Sequence, residues 1–176
     1  MSETTFKHKV EAPRRLNFAV ITCSTSRYNE YVKTGKLNDL TGDLIVKTLR
    51  SNGHKVTMRK IVTDDKEEIQ KAVMRALKSR KVDVIITSGG TGISPKDVTI
   101  EAIQPLLEKE MPGFGEIFRA LSYQKIGSAA VLTRSIAGTV KGKAIFCLPG
   151  SPHSASLALK EIILPEVGHI IKHARE

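Results

Sequence analysis

The chain has no tryptophan, few aromatic residues of any kind and only two cysteines, Cys23 and Cys147. Each thiol flanks an apolar, strand-like segment, so neither a disulfide framework nor a zinc site is supported, and buried free thiols are the expectation. Aromatics make up 5% of the residues, and no basic stretch is interleaved with them as a base-stacking surface requires. No apolar run approaches the length of a membrane span. The start, MSETTFKHKVEAPRR, lacks the apolar core of a secretory signal, so the cytoplasm is the expected location. Acidic residues are also scarce: 28 Lys and Arg against 18 Asp and Glu leave a formal charge of +10. That imbalance favours anionic partners, and without stacking aromatics phosphorylated small molecules are preferred over nucleic acid.

What is present suits a soluble globular protein. With 176 residues, 40% of them apolar and 26% charged, the chain is long enough to bury a core without staples. Residues 1–14 are polar and unpatterned and read as a loose arm unless a partner subunit pins them. Residues 15–176 read as one α/β domain. It is expected to be a three-layer α/β/α sandwich with a mostly parallel sheet, because strand and helix patterns alternate along it.

The most informative stretch is VDVIITSGGTGISPKDVT, from Val82 to Thr99. Val82, Val84, Ile85 and Ile86 form a β-branched run suited to a parallel strand buried on both faces. Gly89, Gly90 and Gly92 then allow backbone angles closed to other residues and leave amides uncovered for an anion. Ser88, Thr91 and Ser94 add hydroxyls, and Lys96 adds positive charge. Asp97 either holds a metal ion or caps the helix beginning near Val98. The Walker pattern fails because Ile93 and Ser94 follow Gly92, and the dinucleotide fingerprint fails because Pro95 stands where its third glycine belongs. Two readings of the turn remain, a phosphate site or a tight strand-to-helix connection.

Two further loops share its composition and its place after a strand. Leu16 to Ile21 is an apolar run that ends in Thr22, Ser24, Thr25 and Ser26, with Arg27 either meeting an anion or lying exposed. Ala144 to Leu148 is a strand that ends in Pro149-Gly150-Ser151-Pro152, and the last helix starts near Pro152, where a missing N–H is harmless. If the sheet brings the three loops to one edge, they form one pocket.

Elsewhere the patterns are local. Tyr28 to Asn38 is polar and reads as a surface loop, and the helix around Leu44 and Ile45 closes at Gly53. His54 to Val62 alternates as a second strand. In TDDKEEIQKAVMRALKSR, Asp64 with Glu67 or Asp65 with Glu68 fits a helix cap, giving both aspartates an ordinary structural alternative. Ile100 to Lys109 reads as a helix distorted by Pro105, and Pro165 as a break before a final helical segment. Ala129 to Val140 reads as a short helix plus a strand.

Taken together, SGGTGISPKDVT from Ser88, PGFGEIFR from Pro112, LPGSP from Leu148 and the weaker DLTG from Asp39 resemble the molybdopterin adenylyltransferases of the MogA/MoaB type, relatives of the gephyrin G domain. They do so in the family's order over most of residues 15–165. The resemblance implies an α/β/α fold in a homotrimer or homohexamer. It implies transfer of AMP from Mg-ATP to the terminal phosphate of molybdopterin, with release of pyrophosphate. The family's two essential aspartates fall on Asp64 and Asp97, which would also hold Mg2+ through ATP. Gly89, Gly90, Thr91 and Gly92 match its phosphate-binding turn, and Gly150, Ser151 and Pro152 its second pterin-side loop. The family often carries an Asp after the first strand's Ser, where this chain has Ser24-Thr25-Ser26-Arg27, which leaves the contacts of Ser24, Ser26 and Arg27 open. The rival reading is a molybdopterin-binding or carrier protein of the same pathway that transfers no nucleotide.

Overall fold

A computed structural model describes residues 12–176. The strands are β1 (Asn17–Cys23), β2 (Lys55–Val62), β3 (Val84–Ser88), β4 (Lys109–Glu110), β5 (Ile136–Val140) and β6 (Lys143–Leu148). They form one mixed sheet in the order β2-β1-β3-β6-β5-β4. The four strands from β2 to β6 are parallel, while β5 runs antiparallel to β6 and β4 to β5. The chain leaves β1 in one direction to make β2 and returns on its other side to make β3. The crevice between the carboxyl ends of β1 and β3 is therefore a topological switch point, where open α/β sheets bind ligands.

Side-chain alternation sorts the core into two layers. Phe18, Val20, Ile86 and Phe146 point to one face. They pack there against α2 (Leu40–Ser51), α5 (Pro112–Ile126), α6 (Pro152–Ala158) and α7 (Leu164–Ala174). Ala19, Ile21, Ile85 and Ile145 point to the other face and meet α3 (Lys66–Lys78) and α4 (Thr99–Ile103). All five residues of β3 are buried, as its unbroken apolar run requires. The expected three-layer α/β/α sandwich is what the chain forms.

Several local expectations change. Thr25–Thr34 is a helix, α1, which takes in the end of the first small-residue loop and most of the stretch Tyr28 to Asn38 read as a surface loop. Ser24 caps it by accepting from the Arg27 amide, and Gly35 ends it in the left-handed region. None of its residues is buried: Tyr28, Tyr31 and Val32 recur at helical spacing but lie exposed, a short stripe with no core beneath it. The helix after the glycine turn stops at Ile103, since Pro105 lies in the tighter turn Gln104–Leu106. Lys109 and Glu110 then pair with β5 as an edge strand. Pro165 does not break the last helix: Leu159–Ile163 widens into a π-turn just before it, which shifts the hydrogen-bond register to accommodate the proline. Of the proposed arm, residues 1–11 lie outside the described residues. Ala12 and Pro13 are half-buried against Gly168, where an added Cβ would come within 2.9 Å of the Pro13 carbonyl oxygen.

Both cysteines are free and buried, and burial pushes each thiol up from 9.0 to about 12. Below pH 9 the folded and unfolded chains both keep these protons. Above it the unfolded chain releases them first, so stability falls as pH rises toward 12, by about 1.4 kcal/mol per pH unit for each thiol. Urea unfolding at pH 8 and pH 10 should therefore show the wild type losing about 2.7 kcal/mol more than the Cys23→Ala/Cys147→Ala protein. An identical loss in the two proteins would contradict buried, protonated thiols.

Candidate functional site

The carboxyl ends of β1, β3 and β6 meet around Gly89. Its N–H donates to the Leu148 carbonyl (3.0 Å), and the Ser88 hydroxyl donates to the Pro149 carbonyl (3.5 Å). A Cβ on Gly150 would lie 3.3 Å from the Gly89 Cα, and one on Gly89 would collide with the Cys23 carbonyl oxygen. Gly89 and Gly90 have φ of +100° and +62°, so close approach and backbone conformation both demand glycine here. The three small-residue loops thus converge within one chain.

The peptides of the turn are held by their carbonyls. Buried Thr99, at the start of α4, donates its hydroxyl to the Gly89 carbonyl (2.8 Å) and its N–H to the Gly90 carbonyl (2.9 Å). Arg134 donates Nε to the Thr91 carbonyl (3.2 Å) and Nη2 to the Asp97 carbonyl (3.3 Å). A trans peptide points its N–H opposite its C=O. With three carbonyls fastened on one side, the N–H groups of Gly90, Thr91 and Gly92 point to the other. Successive amides aimed alike make an anion-binding concavity.

Carboxylates flank the turn on both sides. Asp64, just past β2, accepts from the Thr25 amide (2.8 Å) through Oδ2 and returns its own N–H to the Thr25 hydroxyl (2.9 Å). Its Oδ1 would lie 3.3 Å from a Cβ on Gly90. Asp65, not Asp64, caps α3, accepting from the Glu68 amide at 3.0 Å. Asp97 is not a helix cap either: α4 has no side-chain cap, and Asp97 Oδ2 accepts from the Ser94 amide (2.9 Å). That oxygen would lie 2.7 Å from a Cβ on Gly92. Both aspartates are half-buried, and each keeps a second carboxylate oxygen beyond the bond it makes to the loop.

The remaining sequence candidates divide into supports and exposed groups. Ser88 is fully buried, and its hydroxyl fastens the loop after β6. Ser24 caps α1 and lies 3.2 Å from the Ser26 hydroxyl, with Arg27 half-buried in the first turn. Ser151 caps α6 through the Ser154 amide (3.1 Å), Pro152 is that helix's first residue, and the Gly150 carbonyl accepts from Thr41 (2.7 Å). Lys96 is exposed on the turn beside Asp97.

Two residues escaped the sequence reading of the site. Arg134 clasps the turn and pairs with Glu101 (2.6 Å), which holds the Glu101 carboxyl below its ordinary range. Asp39, of the DLTG stretch, is fully buried beneath the first loop. It caps α2 through the Gly42 amide (3.0 Å) and accepts from the Thr22 hydroxyl (2.7 Å) and Arg59 Nη2 (3.4 Å). Arg134 is 37 residues from Asp97 and has no local pattern, whereas Asp39 carried an ordinary cap signal.

The chain is similar to known proteins over most of its length. Residues 19–169 match the family model described as a probable molybdopterin binding domain. A molybdenum cofactor biosynthesis protein B of Bacillus cereus is 47% identical over 165 residues, which is 93% of this chain and 94% of that protein. A molybdopterin adenylyltransferase of Pyrococcus furiosus is 47% identical over 174 residues, 97% and 98% of the two chains. A crystal structure of molybdenum cofactor biosynthesis protein B superposes with a TM-score of 0.85 at 45% identity, covering 94% of this chain and 99% of its own. Matched over most of its length in family, sequence and fold, this chain belongs to the molybdopterin-binding domain family of molybdenum cofactor biosynthesis proteins.

Proposed function

We propose that this chain is a molybdopterin adenylyltransferase of molybdenum cofactor biosynthesis. A terminal phosphate oxygen of molybdopterin attacks the α-phosphorus of ATP, the bond from that phosphorus to the bridging oxygen breaks, and pyrophosphate leaves. The observation that carries the reading is the turn at 89–92, with its carbonyls fastened to Thr99 and Arg134 and a carboxylate on each side. Transfer between phosphates needs alignment and neutralised charge more than a side-chain nucleophile. The outward amides of Gly90, Thr91 and Gly92 supply fixed donors for phosphoryl oxygens, and Lys96 supplies charge at the rim. Gly150, Ser151 and Pro152 form the pterin side of the cleft, with Ser24, Ser26 and Arg27 opposite.

Asp64 and Asp97 are the residues suited to hold Mg2+. That ion takes one or two carboxylates together with water and substrate phosphates, and each aspartate has an oxygen beyond its loop bond. Among the described residues no group of three or more His, Cys, Asp or Glu forms a metal cage, which agrees with an ion brought in by the nucleotide. Bound there, Mg2+ offsets the charge of the reacting phosphates.

Self-association as a homotrimer or homohexamer is supported by an apolar surface on α5 and the turn after it. Ile117, Tyr123, Ile126, Val131 and Leu132 are all exposed there in the single chain. No helix among the described residues is long and apolar enough to cross a membrane, and we place the reaction in the cytoplasm.

With ATP, Mg2+ and molybdopterin, pyrophosphate release should depend on the pterin and yield a product heavier by one AMP moiety. Asp64→Asn and Asp97→Asn should each lower turnover by about 100-fold or more while pterin affinity stays within a few-fold. Tight pterin binding with no release by the wild type would assign the chain to carrying rather than transfer. In sedimentation equilibrium, the wild type should run as three or six chains and Val131→Glu/Ile126→Glu as one; a wild-type monomer would remove the oligomer from the account.

A further inference from the structure

At the end of the sheet away from the glycine turn, a cavity of about 290 Å3 lies between the end of α3, the turn joining β5 to β6 and the residue that follows α7. Among the described residues its walls carry five cations, Lys78, Arg80, Lys141, Lys143 and Arg175, and one carboxylate, Asp83. That carboxylate is already spent. Its Oδ2 accepts from the Asn17 amide (2.8 Å) and from Asn17 Nδ2 (3.1 Å), and its Oδ1 accepts from Arg175 Nη2 (2.6 Å). Four positive charges on the cavity are therefore left with no carboxylate of its walls to balance them.

Two of the cations are fixed in place with donors to spare. Half-buried Lys143 gives Nζ to the carbonyls of Ser79 (2.5 Å) and Val82 (2.6 Å), and an ammonium has a third N–H. Burial, against the attraction of Asp83, holds this ammonium below its ordinary range, as expected of a cation that has lost water without gaining a counter-ion of its own. Arg175 gives Nε to the Gly142 carbonyl (3.2 Å) and Nη2 to Asp83, and its Nη1 hydrogens have no partner among the described residues. Lys141 and Gly142 form the two-residue turn between β5 and β6, with φ of +52° and +70°. Asn, Asp or Gly usually takes such a place, yet this chain puts a lysine there and anchors its amide to Glu108 Oε2 at 3.0 Å. Cations suit the carboxyl end of a helix, which accounts for Lys78 and for the carbonyls that hold Lys143. That attraction does not account for Lys141 on a hairpin and Arg175 beyond a different helix converging on the same cavity.

We propose that this cavity is a second anion site, for a compact tetrahedral oxyanion of the phosphate class, free or at the end of a small phosphate monoester. The spare N–H of Lys143 and the Nη1 of Arg175 are donors already in position, and Lys78, Arg80 and Lys141 bring mobile charge from the rim. A dianion with several acceptor oxygens uses such a set, whereas a single carboxylate would leave most of the charge unbalanced. The volume, about that of ten waters in the liquid, admits a phosphate together with water that bridges it to the rim. The five residues of β3, about 16 Å of strand, separate this cavity from the glycine turn, so the two anion sites do not share a ligand. A bound ion would tie the end of α3, the hairpin turn and the end of α7 together.

The test is a titration of untagged protein with inorganic phosphate at constant ionic strength, followed in amide TROSY spectra with sodium chloride as the reference. Phosphate should produce saturable shifts at Ser79, Gly142 and Lys143, distinct from any at Gly90, Thr91 and Gly92, and chloride should not. Lys141→Gly/Arg80→Gln removes one charge at a turn that glycine fits and one at an exposed position, so the fold is kept. It should weaken the first set of shifts by about tenfold or more and leave the second unchanged. A repeat with glycerol phosphate tells the sources apart: equal affinity assigns the site to phosphate esters as well, and loss of binding assigns it to the free ion. Absence of saturation at Ser79, Gly142 and Lys143, an equal response to chloride, or indifference to the double variant would overturn the proposal, and none of these results bears on adenylyl transfer.

Discussion

The site depends on two hydrogen bonds from one residue, Thr99, to the carbonyls of Gly89 and Gly90. A strand that runs into a helix through a short turn must dispose of its carbonyls and amides somewhere. In this chain the carbonyls are claimed by the incoming helix, and Arg134 claims the next one at Thr91. The amides, each opposite its own peptide's carbonyl, are left on the other side. Positive φ at Gly89 and Gly90 makes that arrangement possible without strain, and the closeness of the Cys23 carbonyl allows no side chain at Gly89.

Rigid elements hold this turn on every side. Fully buried β3 leads into it, β1 and β6 end beside it, and Ser88 bonds across to Pro149. Buried Asp39 joins the start of α2 to Thr22 and Arg59, so the floor of the first loop is fastened by a charge that three donors satisfy. Asp64 is coupled to Thr25 by a reciprocal pair of bonds, which ties the end of β2 to the start of α1. The two flanking carboxylates come from loops more than thirty residues apart in sequence, yet their distance from the turn is set by the same sheet. Preorganised donors of this kind stabilise transferring phosphate charge without having to rearrange during the reaction.

Much of this was legible in the residues. An unbroken β-branched run announces a strand buried on both faces, and small residues after three strands announce three loops at one sheet edge. What escaped has physical causes. Helix α1 buries nothing, and Tyr28, Tyr31 and Val32, its few apolar residues at helical spacing, are exposed among polar neighbours. The cap spacing fits Asp64 and Asp65 equally, and only the Thr25 amide, brought in by β1, decides that Asp64 faces the cleft while Asp65 caps. Pro165 reads as a breaker because a π-turn is set by packing, not by local sequence. Edge strand β4 is two exposed charged residues whose pairing is supplied by β5. Arg134 reaches the turn from before β5, a contact no local pattern encodes.

The most direct test of this account removes one oxygen. Thr99→Val keeps the shape of the side chain and the backbone bond to Gly90 but deletes the hydroxyl that turns the first peptide. Nucleotide affinity and turnover should fall together, each by about tenfold or more, in a protein whose circular dichroism is unchanged. Full affinity and turnover in Thr99→Val would contradict the claim that the fastened carbonyls of Gly89 and Gly90 create the phosphate site.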